Sequence, residues 1–180
     1  MRLLAISGSL RRRSYNSALL GAAAAECGPD VGFLLWRGLD TIPAYSEDVD
    51  EVPLSVALLK EEIAAADAIL FATPEYNASV PGALKNALDW VSRPFEANPL
   101  RRKPVAVIGA SQGAFGAAWA QAELRKILQT IGARVEAREL LVAHAQHAFT
   151  LEGRLRDPQH AAALTAILGA LLQRSHRQAA

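Results

Sequence analysis

The 180-residue sequence predicts an α/β domain built on a doubly wound, five-stranded parallel sheet. Two patterns carry that prediction. Short apolar runs alternate along the chain with stretches of helical period, and three of the runs are apolar almost throughout. A third observation concerns position. The loops richest in glycine, proline and hydroxyl side chains follow the first, third and fourth runs, and a sheet of this class binds its ligand beyond the carboxyl ends of its strands.

The strands are predicted at Arg2 to Ile6, Val31 to Trp36, Ala68 to Ala72, Pro104 to Gly109 and Arg134 to Leu140. The runs LLAI, AILFA and VAVIG suit strands covered by helices on both faces. The last segment, RVEAREL, alternates and is assigned to an edge of the sheet.

Helices fill the intervals. Leu84, Ala87, Leu88 and Val91 recur at i, i+3, i+4 and i+7, as do Leu124, Ile127, Leu128 and Ile131, and Leu164, Ile167, Leu168 and Leu171. Val56, Leu59, Ile63 and Ala66 form a similar stripe. A first helix is expected to begin near Asn16. Asp157-Pro158 reads as an N-cap and first helical residue, Pro81 as a first helical residue, and Gly132 as a stop. Five strands separated by helices then require right-handed crossovers.

The bulk composition narrows the function classes. At this length folding buries roughly 70% of the chain's extended surface, enough for one domain over residues 1–180. A net charge of +1 gives no global field for nucleic acid or an anionic membrane. The single cysteine, Cys27, has no internal disulfide partner, which fits a reducing compartment. The N-terminal apolar run Leu3 to Ile6 precedes its basic cluster, the reverse of a secretory signal. Ser111, Gln112 and three glycines break the uncharged stretch Pro104 to Ala122, so no membrane span is expected and the protein is assigned to the cytoplasm.

Three loops hold the chemistry. The first, Ser7 to Asn16, offers Ser7, Ser9, Ser14 and Asn16 as hydrogen-bonding side chains, Arg11 as a cation and Gly8 for a tight turn. With the N–H groups of the following helix it has the composition of a phosphate-monoester site, or of a solvated polar loop with a helix cap. Arg12 and Arg13 read as solvated, since three consecutive side chains cannot all point at one phosphate. The loop lacks the Gly-Lys-Ser/Thr ending of a P-loop and the further glycines of a dinucleotide fingerprint. It is not a phosphatase loop either: Cys27 lies in the first helix, and Phe33 stands six positions later, where an arginine is needed.

The second loop runs from Thr73 to Gly82 and is stiffened by Pro74 and Pro81. Tyr76 and Asn77 offer an aromatic surface and an amide to a planar heterocycle; alternatively the loop only caps the helix after it. In the third loop, Gly109 to Gly116, small residues allow a close backbone approach. His144 and His147 are three apart, but no neighbouring cysteine or carboxylate completes a metal site, and none is predicted. The acidic residues Glu47, Asp48, Asp50 and Glu51 read as a solvated loop, Trp90 reads as core, and His160 and His176 carry no signal.

The strings GSLRRRSYN, PEYNASVPGALKNALDWVSR and SQGAFG followed by AELRKIL resemble the NAD(P)H-dependent FMN reductases, a family that includes bacterial quinone, chromate and azo reductases. The resemblance runs from the first strand through the helix containing Leu124. It implies a flavodoxin-like fold with strand order 2-1-3-4-5. It also implies that Ser9, Arg11, Ser14 and Asn16 hold the FMN phosphate with Tyr15 beside them, that Pro74, Glu75, Tyr76 and Asn77 cradle the isoalloxazine ring, and that Ser111 approaches it from the third loop. Ala78 and Gln112 depart from the family pattern, where an aromatic and a small or apolar residue are usual.

The implied reaction is hydride transfer from NADPH or NADH to FMN, then reduction of a small-molecule acceptor: a quinone, chromate, an azo compound or a flavin. It needs no catalytic acid, base or nucleophile. The resemblance further implies a homodimer or homotetramer, with the helix of Trp90 and Arg93 at the contact. The chief alternative is a flavodoxin-type electron carrier, against which the +1 charge argues, since such carriers are usually strongly acidic; a second is a flavin-free interaction module that has kept the fold.

Overall fold

A computed structural model describes residues 1–179, with side chains described through residue 173, so His176 lies outside the described side chains. The central strands follow from their composition. β1 (Arg2–Ser7), β3 (Ala68–Thr73) and β4 (Pro104–Ala110) pair in parallel, and every residue of β3 and β4 is buried. β2 (Gly32–Trp36) pairs with β1 at one edge, giving the order β2-β1-β3-β4-β5.

Alternation along the strands sorts side chains between two cores. Leu3 and Ala5 of β1, with Leu70 and Ile108, face α1 (Tyr15–Glu26) and α5 (Pro158–Ala179) through Leu19, Leu20, Leu164 and Ile167. Leu4 and Ile6, with Phe71 and Val107, face α2 (Leu54–Ala65), α3 (Gly82–Val91) and α4 (Ala118–Thr130) through Leu59, Ile63, Leu84, Leu88 and Leu124. Each fully buried leucine or phenylalanine contributes roughly 1.5–3 kcal/mol relative to exposure. The three predicted apolar stripes from Leu84, Leu124 and Leu164 are therefore the sheet-facing sides of α3, α4 and α5.

Helix ends agree with the sequence at most positions. Asp157 Oδ1 accepts from the N–H of Gln159 and α5 begins at Pro158. Gly132 takes a φ of +93° just beyond α4. Pro81 stands one position outside its expected place: it is the N-cap, and α3 begins at Gly82. Trp90 is core, its indole donating to the carbonyl of Pro43 at 2.9 Å and packing edge-on to Tyr45.

The last strand corrects the sequence reading. In place of one strand over Arg134 to Leu140 there are two short ones, β5 (Arg134–Val135) and β6 (Leu141–Val142), both paired with β4 and both at the sheet edge. Between them the chain leaves the sheet, and Glu136 is buried while Ala137 is exposed, the reverse of what the alternation implies.

The side chain of Arg125 fills the gap. Its Nη1 donates to the carbonyl of Glu136 (2.6 Å), and its Nη2 to those of Val107 (2.9 Å) and Arg138 (2.8 Å). Burial pulls its pKa below the ordinary guanidinium value, and the carboxylates of Glu139 and Glu136 oppose that shift. A side chain on α4 thus performs the hydrogen bonding that a strand would have done.

Arg125→Met should destabilise the protein by about 3–5 kcal/mol, because it strands three carbonyls beside a buried carboxylate. Arg125→Lys should recover only part, since one ammonium cannot span three acceptors in a fork. Urea unfolding checks both; a Met variant within about 1 kcal/mol of wild type would refute the bridging role.

Candidate functional site

The loops after β1, β3 and β4 meet at one end of the sheet. Each is built to approach the others. Gly8 extends the ladder by donating to the carbonyl of Ala72 at 2.8 Å. A Cβ at Gly8 would stand 2.9 Å from Leu84 Cδ2 and 3.4 Å from Pro74 Cδ, so a larger residue would push the first loop off the second. Gly109 plays the same part in the third: a Cβ there would lie 2.5 Å from Gln121 Nε2 and 2.9 Å from the Thr73 carbonyl oxygen. Gln121, fully buried, in turn donates to the carbonyls of Gly116 and Leu140.

Polar ties then lock the loops together. Ser14 is the N-cap of α1, its Oγ accepting from the N–H groups of Asn16 and Ser17. Asn16, only 2% exposed, makes a reciprocal pair with Ala110: its Nδ2 donates to the carbonyl and its Oδ1 accepts from the N–H, both at 2.9 Å. This pair joins the first helix to the end of β4. Gln112 Nε2 adds a 3.3 Å bond to the Tyr15 hydroxyl.

The second loop is tied to α4. Glu75 Oε2 accepts from the N–H of Ala120, in the first turn of that helix, where a carboxylate complements the helix dipole. Glu123 Oε2 accepts from the Ser79 hydroxyl (2.6 Å) and the N–H of Val80 (3.3 Å). Between these ties Tyr76 and Ser79 exchange two backbone bonds of 3.1 Å around Asn77 (φ 52°) and Ala78 (φ 59°). Positive φ at both central residues is the signature of a tight two-residue hairpin turn.

These ties leave a cleft of about 240 Å³ lined by Ser9, Arg11, Ser14, Tyr15, Asn16, Pro74, Glu75, Tyr76, Ala110, Ser111 and Gln112. At one end the Arg11 guanidinium lies 4.9 Å over the Tyr15 ring, which stacks on Phe149. The backbone N–H groups of Arg11, Arg12 and Arg13 donate to no protein acceptor among the described residues. At the other end Tyr76 is half exposed, and the N–H groups of Glu75 and Asn77 are likewise without a protein acceptor among the described residues. Of these residues Arg11 and Glu75 line the cleft, so each keeps a backbone donor free beside it.

Comparison with known proteins shows the family. The family model for NADPH-dependent FMN reductases matches residues 1–147. The chain belongs to the NADPH-dependent FMN reductase family. It is 47% identical over 160 residues to an NAD(P)H-dependent FMN reductase of Pseudomonas aeruginosa, covering 87% of this chain and 85% of that protein. It is 44% identical over 128 residues to a 2-hydroxy-1,4-benzoquinone reductase of a Burkholderia species, covering 71% and 69%. Among solved structures, the flavoenzyme NAD(P)H:(acceptor) oxidoreductase FerB of Paracoccus denitrificans matches with a TM-score of 0.86 and 34% identity, over 98% of this chain and 97% of that one. The protein is thus a flavin oxidoreductase of flavodoxin-like fold, with FMN as cofactor and NADH or NADPH as co-substrate.

Nine of the ten residues that the resemblance implied line this FMN reductase's cleft, and Asn77 does not. Their side chains have different duties, however. The amide of Asn16 is occupied by Ala110, the Ser14 oxygen caps α1, and the Glu75 carboxylate turns to α4. Ala110 and Gln112 line the cleft without having been candidates; their signal is their place at the end of β4 and just beyond it.

Cys27 sits at the opposite end of α1 from the cleft, where burial and then the neighbouring Glu26 raise its thiol pKa, the wrong direction for a nucleophile. No group of three or more His, Cys, Asp or Glu placed to hold a metal ion occurs among the described residues. No helix among them is long and apolar enough to cross a membrane.

Asn16→Ala should cost about 2–4 kcal/mol, because it leaves the buried N–H and carbonyl of Ala110 unpaired. Asn16→Asp, though isosteric, should be no better, because its carboxylate faces that carbonyl. Thermal unfolding of both variants decides; stability equal to wild type in either would refute the tie. Ala78→Gly should raise stability modestly, by up to about 1 kcal/mol, as glycine relieves the left-handed strain at φ 59°.

Proposed function

We propose that the cleft holds FMN with its phosphate in the first loop and its ring against the second. The reductase would then serve a small acceptor, foremost a quinone. The observation that carries the reading is the pair of unsatisfied donor sets at the two ends of one cleft. At the first loop, the Arg11 guanidinium, the Ser9 hydroxyl and the free N–H group of Arg11 supply what a phosphate monoester needs. Tyr15 buttresses Arg11 from below, while Ser14 and Asn16 shape the wall through the helix cap and the Ala110 pair.

Held there, FMN would supply the redox chemistry that links a nicotinamide hydride donor to the acceptor. The chain's own residues position and polarise it. Pro74 and the hairpin turn at Asn77–Ala78 brace the second loop, and the free N–H of Glu75, which lines the cleft, would serve the ring edge where negative charge would develop. Ser111 and Gln112 close the side toward the third loop. The exposed face of Tyr76 leaves an aromatic surface beside the cleft that suits a flat acceptor such as a quinone, the substrate named for the Burkholderia relative.

The same proposal includes a single FMN-binding domain over residues 1–180, a cytoplasmic location and a homodimer or homotetramer. Exposed Phe115 and Trp119, packed edge-to-face at 4.7 Å beside the third loop, offer apolar surface for such a contact.

Purified protein loaded with FMN should lose its visible flavin absorbance when NADPH or NADH is added without oxygen, and recover it on adding a quinone. A protein that takes up no FMN, or whose flavin neither nucleotide bleaches, would overturn the proposal. Arg11→Ala should weaken FMN binding by about 1.5–3 kcal/mol, read by fluorescence titration. An unchanged dissociation constant would show that the phosphate lies elsewhere.

A further inference from the structure

The arginine triplet is only partly absorbed by the FMN site. Arg11 faces it, whereas Arg12 does not line it. A second cleft, of about 420 Å³, lies on the other flank of the first loop, between that loop and the chain leaving β2. That size falls within the usual range for small-molecule sites.

Its chemistry is unlike that of a solvated groove. Arg11, Arg12 and Arg37 face it against one carboxylate, Asp40. Arg12 and Arg37 make no hydrogen bond or ion pair among the described residues, so both guanidiniums are available to an incoming anion. With a net charge of only +1 on the chain, such a concentration is local.

The floor is aromatic. The Trp36 indole lies against the backbone of Gly38, its Cζ2 2.7 Å from where a Cβ on that residue would stand, so only glycine lets the chain cross the ring so closely. The exposed side chain of Leu10 and the hydroxyls of Ser7 and Ser17 also line it. A ligand matching this cleft has a planar, stackable part and a multiply charged anion. Because Ser9 and Arg11 belong to both clefts, a molecule draped over the first loop touches both.

We propose that this cleft receives the adenosine 2′-phosphate end of NADPH, with Arg12 and Arg37 as specificity-determining cations and the Trp36 indole facing the adenine. The proposal rests on the reductase reading above and deepens it. A phosphate dianion between two unpaired guanidiniums is favoured over the uncharged ribose hydroxyl that NADH presents there.

The test uses FMN-loaded protein and adenosine 2′,5′-bisphosphate, with 5′-AMP as the control that lacks the 2′-phosphate, titrated by calorimetry at low ionic strength. Wild type should bind the bisphosphate at least tenfold more tightly than 5′-AMP. Arg12→Ala and Arg37→Ala should each loosen the bisphosphate by roughly tenfold, the lower end for charged hydrogen bonds. FMN affinity and the KM for NADH should stay as in wild type, while the KM for NADPH rises. Equal affinity of wild type for the two adenosine nucleotides, or bisphosphate affinity in both variants within twofold of wild type, would overturn the assignment. Failure of the reductase reading shows itself differently, as a flavin that neither NADPH nor NADH bleaches.

Discussion

Both faces of β3 and β4 are covered by helices, and that constraint governs everything else in the molecule. A strand buried on two sides cannot present a functional side chain along its length without burying an unpaired polar group. Chemistry is therefore displaced to the strand ends, where the backbone leaves the ladder and its N–H groups become available. The parallel arrangement puts the carboxyl ends of β1, β3 and β4 side by side, so three loops far apart in sequence share one cleft.

Those loops carry little apolar burial of their own, and polar ties take its place. Asn16 and Ala110, 94 residues apart, exchange two hydrogen bonds at a buried position. Glu75 and Glu123 fasten the second loop to α4. The same device appears at the sheet edge, where Arg125 substitutes for a missing stretch of strand. Each tie trades a charged or amide side chain for local backbone regularity. In a low-dielectric surrounding such bonds are strong when complete and costly when broken. The result is a rim braced by cross-loop ties that leaves some backbone donors free for a ligand, the kind of preorganisation that electrostatic stabilisation requires.

What could be read in the sequence follows the same division. The apolar runs LLAI, AILFA and VAVIG and the helical stripes report burial directly, so the sheet and its two layers were legible. The strand over Arg134 to Leu140 was misread because periodicity assumes that the backbone finds its partners in a neighbouring strand. Here a guanidinium from α4 supplies them, Glu136 turns inward and Ala137 outward. Most residues of the cleft were legible as a group, from loop position together with the family resemblance, though Ala110 and Gln112 were missed and Asn77 lies off it. Their individual duties were not. Nothing local to Asn16 shows that its amide is committed to a peptide 94 residues away, or to Glu75 that its carboxylate serves a helix terminus.

The arginine triplet shows how such a limit can be passed. Taken as a string, three consecutive cations cannot converge on one phosphate, and solvation is the reading that remains for two of them. A loop on the rim has two flanks, however, and its side chains need not all serve the same one. With a cleft on each flank, Arg11 reaches both and Arg12 the β2 side, where Arg37 arrives from the chain leaving β2. Side chains from two unrelated segments converging, unpaired, on an aromatic floor is an arrangement that solvation alone does not require. Concentrating positive charge along one short loop, in a chain of net charge +1, also gives the rim a local field. Such a field draws multiply charged nucleotides toward the cleft and leaves neutral acceptors to arrive by diffusion.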